Sequence, residues 1–463
     1  MMSDERPARS FTGELVEFIE QARIEDMPGE LIAKARLLCM DLLGVAAKGA
    51  QEPASRIARQ VLLPQGGETQ AVIIGGDRRI GSLNAALLNG LAGHALDYDD
   101  VDQAMYGHPS VPVLPAALAA AEMVEADGAA LLEAYVLGVE ITSKLAYGMN
   151  PAHYSLGWHS TCTMGAIGAT AAAAKILGLN QEQLRNALAI GATQASGLQQ
   201  NFGTMTKPFH AGKAAQNGLL AALLAQGGFT GDKAIFEAPL GFFHLFVAGN
   251  TVDAAAILDR LGRPYEIDSP GLLIKKHPSC AFSHPPADAA LELAHAPEFD
   301  TDQVQSVTGV IHDMADQILI HQRPRTGLQA KFSLEAVMAL ALTDGQLSLA
   351  SFTDQSVLRE PVQKLIAVTT RQVERRAGTG SGDFGPAEVQ VRLKNGETLS
   401  ARVDKAKGSP TNPMSDAEFR AKYLDCCTGV LGPEQIEKSL ALLARLETIP
   451  RIGELTECYL IDQ

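Results

Sequence analysis

From about residue 10 to residue 260, apolar residues return every three or four positions, and alanine and glycine are abundant among them. "TGELVEFIEQA", "PGELIAKARLLCMDLLGVAAKG" and "DGAALLEAYVLGVEITSKLAYG" all carry this period, which is that of a helix with one buried face. Aromatic residues make up only 5% of the chain, with a single Trp. Such a mixture predicts helices that cross closely through small residues. Start and stop signals support the reading: Pro28 near a helix start, Asp127 as an N-cap, and Gly49 and Gly148 near ends. Asn180 stands three residues before Gln183, the spacing of a capping box.

The texture changes near "RPYEIDSPG". Downstream, "VQSVTGVIHDM", "KLIAVTT" and "AEVQVRLKNGETLSARVD" are rich in β-branched residues and read as strands, and Asn395-Gly396 between alternating runs predicts a hairpin. Helices recur at "HPPADAALELAHA" and "FSLEAVMALALTDG", and again after residue 405. The expected fold is mainly α: a large all-α domain over residues 1–268, to which 405–463 return, and a smaller α+β domain over 269–404. Two domains also suit a chain of 463 residues.

Several function classes drop out on composition. A net charge of −15 offers no Lys/Arg stripe to neutralise phosphates, so nucleic acid is not an expected partner. An anionic substrate would need a local basic pocket against that overall field. Six scattered cysteines contain no CxxC pair, which argues against a disulfide framework, a zinc site or an iron–sulfur cluster. The charged N-terminus has no apolar signal-peptide core, and the longest small-residue apolar run, "MGAIGATAAAA", is too short to span a bilayer. A cytoplasmic, reducing location without membrane attachment is the expectation.

One stretch stands apart. "GHALDYDDVDQAMYGHPS" sets Asp97, Asp99, Asp100 and Asp102 between His94 and His108, and no Lys or Arg occurs between Arg79 and Lys144. A metal site, an acid/base site and a solvated loop of capping aspartates are the three readings. D-x-D-D-x-D lacks the glycine and closing glutamate of a calcium loop, and the DDxxD spacing is absent, so no metal is expected. The neighbouring runs are apolar, and Pro109, Pro112 and Pro115 suggest a buried extended turn entering a helix. Carboxylates packed so closely raise one another's pKa, which is how a site obtains an acid or base near neutrality.

Three further stretches carry chemistry. "LGWHSTCTMGAIGAT" places His159 before a small-residue helix. "NFGTMTKPFHAGKAAQNG" puts Lys207 before Pro208, a favoured first helical position, and sets His210, Lys213 and Gln216 or Asn217 on one face. A helix start with a lysine suits a carboxylate. "GLLIKKHPSCAFSHPPADA" adds Lys275, Lys276, His277, Cys280 and His284 at the expected domain boundary. Each of these taken alone is equally readable as structural.

Together with the later "KFSLEAVMALAL", these stretches resemble the MmgE/PrpD family, in the same order and over nearly the whole chain. The resemblance implies a large helical domain with a smaller α+β domain, a homodimer, and a cofactor-independent activity such as 2-methylcitrate dehydration, cis-aconitate decarboxylation or iminodisuccinate epimerisation. It implies catalytic roles for Asp97, His108, His159, Lys207 and Lys275, and substrate contacts from Thr204, His210, Cys280, His284 and Arg323. The chain departs from the family's decarboxylases in carrying Cys280 where they have a histidine, and in the absence of a tyrosine from "QILIHQRPRTG".

The shared chemistry passes through a carbanion or enolate beside a carboxylate. Lys207, Lys275 and Arg323 can clamp anionic oxygens, His108 and His159 titrate in the range for proton transfer, and Asp97 orients or tunes a histidine. The expectation is therefore a metal-free lyase, a dehydratase ahead of a decarboxylase, acting on a small di- or tricarboxylate. An epimerase of a dicarboxylate such as iminodisuccinate is the first alternative, and a non-catalytic ligand-binding member of the fold is the second.

Overall fold

A computed structural model describes residues 10–65, 67–375 and 384–461. The first half is built from α1 (Phe11–Gln21), α2 (Gly29–Gly49), α3 (Ser82–Ala95), α4 (Ser110–Met123), α5 (Gly128–Met149), α6 (Ser160–Ile176), α7 (Gln181–Thr193) and α8 (Thr206–Gln226). The caps fall where the sequence placed them. Asp127 accepts from Ala130 N at 2.8 Å, and Asn180 and Gln183 cap one another reciprocally at 3.0 and 3.1 Å.

Small residues set the crossings, as the composition predicted. A Cβ built on Gly90 of α3 would stand 2.8 Å from Gly212 Cα of α8, and one on Gly212 would stand 2.2 Å from Leu87 O. Only hydrogens fit there, so the two backbones touch. His94 follows Gly90 by one helical turn, and Lys207 lies a little over one turn before Gly212. This contact is what carries the end of α3 to the start of α8.

One expectation about the prolines is corrected. α4 begins at Ser110, directly after Pro109, and both Pro112 and Pro115 lie inside it. Pro112 sits in the first turn, where its missing N–H has no helical partner to lose. Pro115 forgoes one helical bond and is held by burial on every side. Pro208 likewise lies in the third position of α8, which starts at Thr206.

The second half adds α9 (His284–Ala294), α10 (Leu334–Asp344) and α11 (Glu360–Val368), which pack on a four-stranded sheet. Its strands, β1 (Val304–His312), β2 (Thr369–Glu374), β3 (Ala387–Leu393) and β4 (Thr398–Val403), lie in the order β2-β1-β3-β4. β1 pairs parallel with β2, and the other pairs are antiparallel. β3 alternates cleanly, with Ala387, Val389, Val391 and Leu393 turned to the core. The Asn395-Gly396 hairpin forms, with Gly396 alone at positive φ (92°) and its N–H donating to Leu393 O. That is the three-residue loop in which glycine takes the left-handed position.

"KLIAVTT" is a second correction. Its first five residues belong to α11, and the strand starts only at Thr369. Pro361 in the first turn starts the helix, and Val362, Leu365 and Ile366 are buried at helical spacing. The chain ends with α12 (Asp416–Cys427) and α13 (Pro433–Leu443). α12 packs on α2, where Lys422 Nζ meets Asp41 Oδ1 at 2.7 Å. The fold is thus mainly α with a smaller α+β part. No helix among the described residues is long and apolar enough to cross a membrane.

Candidate functional site

The acidic stretch forms a buried turn between α3 and α4, and its four aspartates are all almost fully excluded from solvent. The turn is tight enough to put Asp97 at φ 53°, a left-handed conformation that costs a non-glycine residue about 1 kcal/mol. The solvated-loop reading fails on this burial.

The four aspartates do different work. Asp102 caps its own turn, accepting from Ala104 N at 2.7 Å. Asp100 takes a very short hydrogen bond from Ser110, and burial pushes its carboxyl well above the usual range. Asp99 lies between two imidazoles: His94 Nδ1 is 2.9 Å from both its oxygens, and His108 Nδ1 is 3.2 Å from Oδ2. His94 therefore carries its proton on Nδ1 and presents a bare Nε2, which accepts from Lys207 Nζ at 2.8 Å. Lys207 Nζ also donates to Asp97 Oδ1 at 2.5 Å, while Lys275 Nζ lies 3.3 Å from Asp97 Oδ2.

Charge and burial together set the protonation states. Burial opposes ionisation of Asp97, but the ammonium groups of Lys207 and Lys275 outweigh it and hold the carboxyl well below its usual range. Burial depresses His94 to about 3, against the pull of Asp99 and with the help of Lys207. His108 is lowered by burial too, despite Asp99. His159 is driven well below its usual value by burial and by Lys207. The site therefore presents neutral imidazoles beside two lysines that share one carboxylate.

Asp97, His108, His159, Lys207 and Lys275, read from separate stretches, all line one cleft. Cys280 lines it as well, with its thiol pushed up to about 11 by burial, so it serves as a wall and not as a thiolate. Tyr106, Tyr154, Phe202, Phe282, Phe332 and Phe384 supply the apolar walls. Phe202 and Phe332 face Lys207 Nζ at 5.6 and 5.3 Å from their ring centres. Such a cleft can hold a carboxylate on its ammonium groups and take a proton from carbon with an imidazole.

The other expected contacts fall elsewhere. His210 Nδ1 is 3.1 Å from His159 Nδ1, so one donates to the other, and His210 acts behind His159 and not on the cleft surface. His284 is buried behind the cleft wall, beside His277 and within 3.3 Å of Ser279 O. Thr204 is exposed and turns its own loop, donating to Asn201 O at 2.8 Å. Arg323 is exposed and does not reach the cleft. The family resemblance had suggested both, but the loops carrying them turn to solvent. Reading the sequence also gave His94 no role and Asp99 only that of a turn or cap, although an aspartate five residues after a histidine at a helix end was a visible hint.

His94, Asp97, Asp99 and His108 each bring a possible metal ligand atom within 4.8 Å of the others. The Lys207 ammonium stands at the same cluster, donating to His94 Nε2 at 2.8 Å and to Asp97 Oδ1 at 2.5 Å, so a positive charge lies beside the candidate ligands.

These features lie in a helical scaffold with an α+β partner, and the chain belongs to the MmgE/PrpD family. The family's N-terminal domain matches residues 13–255 and its C-terminal domain residues 277–448. The chain is 28% identical over 476 residues to a cis-aconitate decarboxylase-like protein of Aspergillus oryzae, covering 98% of each. It is 27% identical to the cis-aconitate decarboxylase of Mus musculus, covering 97% of this chain and 93% of that one. The cis-aconitate decarboxylase of Aspergillus terreus is 26% identical and is matched over 98% of both chains.

Proposed function

We propose that the protein is a lyase that acts on a small di- or tricarboxylate through an enolate, without a metal. The observation that carries this is the convergence of Lys207, Lys275, His108 and His159 on one cleft, with Asp97 between the two lysines. A substrate carboxylate would displace Asp97 as partner of one ammonium, and the enolate formed beside it would be held by the same charge. The Lys207 ammonium, hydrogen-bonded to both His94 and Asp97, supports a metal-free mechanism.

Two routes use this set. In decarboxylation, CO₂ leaves and the electron pair it leaves behind passes into the remaining unsaturated carboxylate, after which a protonated imidazole delivers a proton to carbon. In dehydration, a neutral imidazole first takes the proton next to a carboxylate, and hydroxide then leaves with a proton from a second group. The names of the relatives favour decarboxylation, with cis-aconitate as the first substrate to try. The depressed histidines favour proton abstraction, and with it dehydration or epimerisation. A substrate bearing two or three negative charges raises both imidazoles on binding, so one pair can serve as base or acid.

The division into residues 1–268 with 405–463, and an inserted 269–404 unit, belongs to this proposal and is supported by the packing of α12 on α2. A homodimer and a cytoplasmic location are part of it as well.

Proton NMR in D₂O with cis-aconitate, citrate, 2-methylcitrate, malate and iminodisuccinate tests the reading. CO₂ release or new vinyl signals establish a lyase and identify its substrate. Loss of an α-proton signal without an alkene assigns an epimerase. Ligand-induced thermal stabilisation with neither would leave a binding protein and overturn the proposal.

A further inference from the structure

Three consecutive carbonyls in the tightest turn of the site are each held by a buried ammonium from a different part of the chain. Lys331 donates to Leu96 O, Lys275 donates to Asp97 O at 2.7 Å, and Lys422 donates to Tyr98 O at 2.9 Å. Lys275 lines the cleft, but Lys331 and Lys422 do not. All three are buried to 5% exposure or less, where an ammonium is retained only with good partners.

The carbonyls matter because of what lies between them. Asp97 holds φ 53°, and a non-glycine residue stays there only where its surroundings fix it. The peptide before it is pinned at both ends: Leu96 O by Lys331, and Asp97 N–H by His94 O at 3.1 Å. The peptide after it is pinned by Lys275. Fixing both planes fixes φ and ψ, and so aims the Asp97 carboxylate at Lys207. The next peptide is pinned by Lys422, which aims Asp99 between His94 and His108. Lys422 itself is compensated by Asp41 at 2.7 Å and by the Tyr98 ring, 4.0 Å away at its centre. Lys331 makes no ion pair among the described residues. It packs over Phe352, and its own backbone carbonyl takes the N–H of Cys280 in the cleft wall at 3.0 Å.

We infer that Lys331 and Lys422 are positioning residues for the cleft, holding Asp97 and Asp99 at their working angles through the backbone of the 96–98 turn. The α+β part and the C-terminal helix thereby become components of a site whose acidic loop lies 235 and 324 residues away in sequence. The inference rests on the proposed roles of Asp97 and the histidines.

The test compares wild type with Lys331→Met and with Lys422→Met combined with Asp41→Asn, which leaves no unpaired carboxylate. Melting reports the fold, and ¹⁵N-histidine NMR reports the tautomers of His94 and His108 without any substrate. Turnover is followed in D₂O on the carboxylate that wild type converts. Folded variants should show altered signals for these histidines and a kcat lower by about 10²-fold, the scale of a small misplacement, with KM moved far less. Histidine signals and kcat both unchanged in folded variants would overturn the inference. If wild type converts none of the carboxylates, the functional reading fails, while the histidine signals still decide the positioning. Should a Met variant not fold, Lys331→Gln and Lys422→Gln, whose amide nitrogens end one bond short of the lysine nitrogen, take its place under the same criteria. Failure of every variant to fold would also overturn the inference, since the lysines would then be determinants of folding alone.

Discussion

The Asp97 and Lys144 clusters are both buried charge clusters, and only the first opens on the cleft. In the Asp97 cluster, two ammonium groups face one carboxylate and neutral imidazoles line a cavity. In the other, Lys144 Nζ meets Glu266 Oε2 at 2.6 Å and Glu140 Oε1 at 3.8 Å. Glu140 accepts from Gly262 N and Glu266 N, each at 2.7 Å, and Tyr147 donates to Glu266 at 3.0 Å. Here the carboxylates are in excess, and burial lifts both to about 7. They are spent on tying α5 to the 262–266 segment. Burial and charge alone therefore do not mark a site. An accessible cavity is what separates the two clusters.

The largest expected effects test the open cluster. His108→Gln and His159→Gln should each lower kcat by about 10²–10⁴-fold with the melting temperature preserved, read by initial rates on the converted carboxylate. A folded variant with wild-type rates would remove that histidine from proton transfer. Lys207→Met should cost about 10²–10³-fold, the scale of losing one oxyanion-stabilising donor, and should weaken binding of a polycarboxylate in calorimetry.

Lys144→Met probes the sealed cluster and should reverse the pattern. It leaves buried carboxylates unpaired and should destabilise the fold by about 3–5 kcal/mol, measured by denaturant unfolding. Turnover per folded molecule should stay at the wild-type level. Loss of catalysis without loss of stability would make the two clusters alike.

A smaller effect separates them by pH. The histidines of the open cluster have folded values below the ordinary 6.5, with His94 at about 3 and His210 at about 4. Between those values and 6.5 the unfolded chain binds more protons, so their contribution to stability is present above about 6.5 and lost as pH falls. Glu140 and Glu266 are raised to about 7, so between about 4.3 and 7 the folded chain binds more protons. Their contribution is fully present below about 4.3 and is lost as pH rises through 7. The two slopes oppose each other in wild type. Melting temperature against pH in Glu266→Gln should therefore rise more steeply from pH 4.5 to 7, and an unchanged slope would reject the assignment. Least of all, Thr204→Ala and Arg323→Ala should leave rates and melting unchanged, since both side chains face solvent.

Helical period, caps and the Asn-Gly turn are local properties, and the structure follows them closely. Where the local reading slipped, at "KLIAVTT" and at the prolines of α4, short apolar or Pro-containing runs fit two periods and packing chose between them. The cleft was legible in part. Lys207 and His108 stand in stretches whose composition is odd for their surroundings, whereas Thr204 and Arg323 came with the family resemblance, which says nothing about which way a loop faces in this chain. Lys331 opens a stretch that carries the family resemblance, yet neither it nor Lys422 could be given a role, because their partners are backbone carbonyls hundreds of residues away and any residue supplies a carbonyl.

The helices, the small-residue crossings and the set of residue types able to handle a carboxylate follow from local period and side-chain chemistry. Which aspartate meets the lysines, which histidine nitrogens are left bare and which buried cluster stays closed are outcomes of folding. Those outcomes depend on distances of a few ångströms between segments far apart in the chain, fixed by the Gly90–Gly212 contact and by three buried ammonium groups on one turn.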